Sequence, residues 1–153
     1  MAVTIGTIKS GTYVGPGGGT TVTITGVTQD VGSGGYMYLI IQHDQPYTPT
    51  VKYNNVSMTK ILTYSGQGII TDIFELASPS TGSNSLVLTY TAFQEYTTNI
   101  GYMVLSCIGA DGYGNNTKVD GLASSPGIAC NLASVGLGSA VFLIGVLPNA
   151  TNW

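Results

Sequence analysis

At 153 residues the chain has the size of one domain with a real core, yet only 7% of it is charged, where about 25% is usual. Its four basic residues are all lysines and its net charge is −3, so no basic stripe exists to neutralise phosphates and specific nucleic-acid binding is not expected. With 43% hydrophobic residues and little charge, the composition is also not that of a disordered chain.

The polar surface must come from Thr, Ser, Asn, Gln and Gly. A surface with so few charges offers little repulsion against association. That favours a protein of an assembly or of the extracellular space, the plain alternative being an ordinary β domain with a threonine-rich exterior. The first residues carry no basic region ahead of an apolar run, so no signal peptide is visible and the chain reads as a full translation product. The longest apolar run, residues 140–147, falls well short of the roughly 18 residues that span a bilayer, so no membrane partner is expected.

In chain order, residues 2–8 alternate apolar and polar and predict a first strand or an extended arm. Residues 15–19 (Gly-Pro-Gly-Gly-Gly) predict a loop. Residues 20–28 set Val22, Ile24 and, after Gly26, Val27 against Thr21, Thr23 and Thr25, the pattern of a half-buried strand. Residues 36–41 are uniformly apolar and predict a strand covered on both faces. Residues 43–49 are irregular. Then come a strand to Tyr53, a tight turn at Asn54-Asn55, and a return strand over 56–64. A turn at 65–68 precedes a strand over 69–76, with Asp72 and Glu75 expected outward. A turn at 78–82 precedes a strand over 85–93, with Leu86, Leu88 and Tyr90 alternating against Val87, Thr89 and Thr91. Residues 97–108 form the longest β-like run. A loop (109–121), a weaker strand (127–135), a buried strand (140–146) and a tail (148–153) complete the chain.

No segment keeps a helical period and good helix formers are scarce. About nine or ten short strands at regular spacing predict an all-β fold, a single antiparallel β-sandwich, jelly-roll-like or immunoglobulin-like. The expected organisation is an N-terminal strand or arm with its glycine loop (1–19), the sandwich (20–147) and a C-terminal tail (148–153). Strand order is not readable.

Little in the chain can carry chemistry. His43, the single histidine, is followed by Asp44, but strand neighbours point to opposite faces, so these two form no dyad. No Gly-x-Ser-x-Gly elbow occurs. Asp72 and Glu75, three apart on one strand, also face opposite ways and do not make the carboxylate pair of a glycosidase. Residues 15–19 lack the lysine of a phosphate loop and precede a strand. No catalytic residue and no cofactor is expected. The oxygen-rich stretch around Asp111, Asn115 and Asp120 is a candidate calcium site, against the plainer reading of a Gly/Asn turn without metal. Cys107 and Cys130 match no zinc spacing and read as two reduced, buried thiols or one disulfide. Of the ten tyrosines, Tyr36, Tyr38, Tyr53, Tyr64, Tyr90 and Tyr102 fall on strands, while Tyr47, Tyr96 and Tyr113 fall in or near loops, where they could meet a sugar or a protein. Three glycosylation acceptors, at Asn55, Asn115 and Asn149, read as chance in an Asn/Thr-rich chain.

Three short motifs carry a resemblance: Tyr53-Asn54-Asn55-Val56-Ser57-Met58-Thr59, the turn from Leu76 through Pro79 to Thr81-Gly82, and the strand end from Ser106 to Asp111. Over residues 36–111 the chain resembles a recurrent β-sandwich module of phage virion proteins that also occurs in bacterial extracellular proteins. Asn55 stands where that pattern usually has glycine. The resemblance implies a carrier, decorator or adhesive module rather than a catalyst. The expectation is a non-enzymatic virion protein, a phage capsid decoration (cement) or head or tail accessory protein, made in the host cytoplasm. Its partners would be the major capsid protein or other virion proteins and further copies of itself, a trimer by analogy. The interface candidates are Val3, Ile5 and Ile8 on the N-terminal arm, with Tyr47, Tyr113 and Trp153. The alternative is a carbohydrate-binding or adhesive module at an extracellular surface, using loop tyrosines and glycan contacts.

Overall fold

The computed structural model describes residues 3–15, 21–30, 35–44, 48–66, 69–90, 98–109 and 112. Nine strands run through them: β1 (Thr4–Gly15), β2 (Thr21–Gln29), β3 (Gly35–His43), β4 (Thr50–Tyr53), β5 (Val56–Ser57), β6 (Thr59–Gly66), β7 (Ile69–Ala77), β8 (Gly82–Thr89) and β9 (Thr98–Ile108). They form a five-stranded sheet in the order β1-β9-β3-β7-β6 and a four-stranded sheet in the order β2-β8-β4-β5. Every pairing is antiparallel. The all-β sandwich read from the sequence is therefore the observed fold. The pairs nest: β1 with β9, β2 with β8, β3 with β7, β4 with β5. This is a long hairpin rolled up on itself, the topology of a jelly roll, with β6 added at one margin.

Alternation builds the core. On β2 the odd-numbered threonines 21, 23 and 25 are exposed while Val22 and Ile24 are buried. On β8 Leu86 and Leu88 are buried, followed by Tyr90. The facing sheet contributes Met37, Leu39 and Ile41 from β3 and Phe74 and Leu76 from β7 to the same cluster. Each such aliphatic side chain, fully buried, stabilises the fold by about 1.5–3 kcal/mol. β3 lies between β9 and β7, and its other face also buries Ile40, which is why residues 36–41 read as continuously apolar.

Bulges set two of the spacings. On β2 the register shifts between Ile24 and Val27, and Gly26 takes φ = +65°. The extra residue lets Ile24 and Val27, three apart, both point inward. On β1 the register shifts between Ile5 and Ile8, so these two share the outward face. The margins β1 and β2 lie side by side, and each bulge is met by a charged group from the other strand's side. The Lys9 ammonium donates to the carbonyls of Thr25 and Gly26, both at 2.8 Å. The Asp30 carboxylate, just past β2, accepts from the Thr7 backbone N–H at 3.1 Å, the Thr7 hydroxyl at 2.9 Å and the Ser106 hydroxyl at 2.8 Å. A Cβ on Gly6 would stand 2.7 Å from Asp30 Oδ1 and 2.6 Å from Ser106 Oγ, so this approach requires glycine.

Three expectations are corrected. The stretch 2–8, expected as a first strand or an extended arm, is from Thr4 onward part of a strand that continues to Gly15 and pairs along β9, a margin of the sandwich among the described residues; its second half is too rich in Gly, Ser and Thr to show a clear apolar period. The return strand over 56–64 is two strands: β5 belongs to the four-stranded sheet and β6 to the five-stranded one, and buried Met58 marks the crossing between layers. Asp72 does not point outward. It has the same parity on β7 as Phe74 and Leu76, faces the interior and is fully buried, because side-chain donors that include His43 and Thr63 satisfy its carboxylate there. Glu75, of opposite parity, is half-buried on the outer face. The expected strands at 127–135 and 140–146, the tail and Cys130 lie outside the described residues.

Candidate interaction surfaces

The outward face of the four-stranded sheet is set by the β2 alternation and the register. Thr21, Thr89 and Thr50 stand opposite one another across β2, β8 and β4. The next row is Thr23, Val87, Lys52 and Ser57. All of these are exposed except half-buried Val87, and Lys52 alone among them is charged. Neighbours across a row lie about 4.8 Å apart. The result is a face of methyl and hydroxyl groups broken by one ammonium, that of Lys52.

One end of this sheet is organised by Tyr53. The two-residue turn Asn54-Asn55 has φ = +46° and +64°, both left-handed as a type I′ hairpin requires and as asparagine tolerates. Tyr53 itself is buried. Its hydroxyl lies among the carbonyls of Val27 (3.2 Å), Gly82 (3.2 Å) and Ser80 (3.3 Å), and it accepts from the Asn84 amide at 3.0 Å. The Asn54 amide donates to the Ser80 hydroxyl at 3.0 Å. The Tyr53 hairpin and the Pro79–Gly82 turn thus meet in space through one phenol. An open, shallow cleft lies beside them, lined by Asn54, Asn55, Ser83, Asn84, Ser85 and Val87.

The opposite end of the core holds a buried polar group. His43 Nε2 lies 3.1 Å from Asp72 Oδ2, and the Thr63 hydroxyl donates to Asp72 Oδ1. A ring nitrogen facing a carboxylate carries its proton there, so Nε2–H donates and Nδ1 is left without a hydrogen-bond partner among the described residues. The Tyr90 ring meets the imidazole edge-on at 5.6 Å. Burial works against the Asp72 charge, yet the hydrogen bonds from His43, Thr63 and Thr48 hold its carboxyl below the ordinary value. Burial, followed by the charges of Asp72 and Asp44, pushes the Tyr90 phenol up. Asp44 itself is exposed, on the other side from His43.

No family model, curated protein or solved structure matches the chain.

Of the interface candidates, Ile5 and Ile8 are 38% and 56% exposed on β1, and Val3 is half-buried against an apolar cluster on the outer face of the five-stranded sheet. Tyr47, Tyr113, Trp153 and the calcium candidates Asp111, Asn115 and Asp120 lie outside the described residues. Among the described residues no group of three or more His, Cys, Asp or Glu side chains is placed to hold a metal ion, and no helix is long and apolar enough to cross a membrane. Cys107 is a buried free thiol, raised in pKa by that burial. Sequence reasoning missed the His43–Asp72 contact, which joins residues 29 apart, and the Asp30 and Lys9 contacts. For the last, the break in alternation at Gly26 was the one available signal.

Proposed function

We propose that this chain is a non-enzymatic structural protein of a virus particle, a phage capsid decoration (cement) protein or a head or tail accessory protein. The observation that carries the reading is the outward face of the four-stranded sheet, rich in threonine and charged only at Lys52 among its described rows. Covering such a face removes little charge from water. A hydroxyl exchanges water for a partner's carbonyl at small net cost, whereas an unpaired charge does not. The motifs around Tyr53 and Pro79 support the same reading through the module they resemble. Jelly rolls serve viral shells and lectins alike, a likeness of fold only. In this reading the face packs on the major capsid protein or a neighbouring virion protein, and further copies associate around it.

Sedimentation tests it. The purified chain should run as a symmetric oligomer and pellet with empty capsids, and Thr23→Glu with Val87→Glu should abolish pelleting while leaving the circular dichroism unchanged. A stable monomer that ignores capsids overturns the reading. The cleft beside the hairpin favours a second reading, an adhesive module, since amides and hydroxyls suit sugar hydroxyls. Glycan-array binding lost in Asn55→Ala would select it.

A further inference from the structure

In a two-layer sandwich the outward faces meet water, and the four-stranded sheet obeys this. The five-stranded sheet does not. Its outward residues line up in rows fixed by the register. One row is Ile5, Cys107, Tyr36 and Ala77; the next is Ile8, Leu105, Tyr38, Glu75 and Thr59. The third holds Ser10, Met103, Ile40, Ile73 and Leu62, and the fourth is the polar Thr12, Gly101, Gln42, Thr71 and Tyr64. The apolar part is therefore concentrated toward the end of the sheet where β9 stops. Its centre is not open to water: Leu105 and Cys107 are each 1% exposed. Its rim is open at Ile5 and Ile8.

The chain's own path indicates the occupant. Gly112 lies beyond β9 with a Cβ direction that meets the Tyr36 ring, 3.5 Å from its hydroxyl oxygen and 3.6 Å from Cζ. Tyr36 belongs to the first row, so at the last described residue the backbone lies against a side chain of this face. The C-terminal part of the chain suits this face chemically: past Asp120 the sequence has no charged side chain, and residues 140–147 are Ala-Val-Phe-Leu-Ile-Gly-Val-Leu. A run so apolar needs a surface to bury it, and the outward face of β9, β3 and β7 is apolar at the point of exit.

We propose that the outward face of the five-stranded sheet is the docking surface for residues 113–153 of the same chain, with 140–147 as the covering element. The proposal does not depend on the virion reading.

Two measurements on the full-length chain test it, both in a Cys130→Ala background so that Cys107 reports alone. First, Phe142→Asp with Ile144→Asp should speed thiol labelling of Cys107 at least tenfold while the β-sheet circular dichroism persists; unchanged labelling in a folded variant overturns the proposal. Second, a photo-crosslinking benzophenone side chain at position 8, the exposed rim, requires no disruption of the segment and covers the case in which the double variant does not fold. Crosslinked peptides mapping to 113–153 within a monomer-mass product support the proposal. Crosslinks to a second copy, or only to the chain's own β-strands, overturn it.

Discussion

The Asp30 carboxylate accepts the backbone N–H of Thr7, across 23 residues of sequence, at the bulge where β1 departs from regular pairing. A bulge leaves a backbone donor without a ladder partner, and this one is met by an ion held in place by the Ser106 and Thr7 hydroxyls.

Those hydrogen bonds, from Ser106 first and then Thr7, lower the Asp30 pKa from 3.8. The native carboxyl therefore takes up a proton less readily than the unfolded one. The contribution is fully present above the unfolded value and is lost as pH falls through the native one. Asp30→Asn should lower the thermal midpoint at pH 7, and the gap to the parent should narrow as the pH falls below the unfolded carboxyl value of 3.8. A gap independent of pH across that range would show that the ionised carboxylate contributes nothing.

Tyr53→Phe keeps the ring and removes the hydroxyl that the Asn84 amide donates to. Leaving buried polar groups unpaired costs about 1–3 kcal/mol in urea denaturation. A double-mutant cycle with Asn84→Ala should give a coupling of about 0.5 kcal/mol or more, because the two groups share one network.

Asp72→Ala strips the His43 imidazole and the Thr63 hydroxyl of their shared acceptor inside the core. The expected loss is about 3 kcal/mol, typical of breaking a buried pair by removing one partner. Removing both partners with Asp72→Leu and His43→Leu should cost less than the sum of the two single changes. Equilibrium unfolding of the three variants decides this.

Asn55 sits at φ = +64°, a conformation that glycine adopts without strain. Asn55→Gly should leave the unfolding midpoint unchanged or raise it slightly, whereas Asn55→Val should destabilise by about 1–2 kcal/mol, the cost of a left-handed residue with a branched side chain.

The sequence made the strands legible wherever side chains alternate, as at Val22, Ile24, Leu86 and Leu88. It also located the Asn54-Asn55 turn, since the chemistry of a tight turn is local. What it hid was non-local. Strand order depends on which hairpins roll together, and no residue of β1 announces β9 as its neighbour. Asp72 looked like surface because a carboxylate on a strand usually is; its burial depends on His43 and Thr63, which only the fold brings near. The split between β5 and β6 was hidden because Val56 to Tyr64 reads as continuous β, although the chain changes layer at Met58.

The clasp between β1 and β2 has one further consequence. Among the described residues β1 is a long marginal strand without proline, and such a strand ordinarily offers its free backbone as a template on which another chain can grow a fibre. Here a bulge interrupts the template, Asp30 occupies one of its donors and Lys9, one of only four cations in the chain, lies along it. In a protein with almost no charge to keep its copies apart, these contacts oppose polymerisation through the β1 backbone.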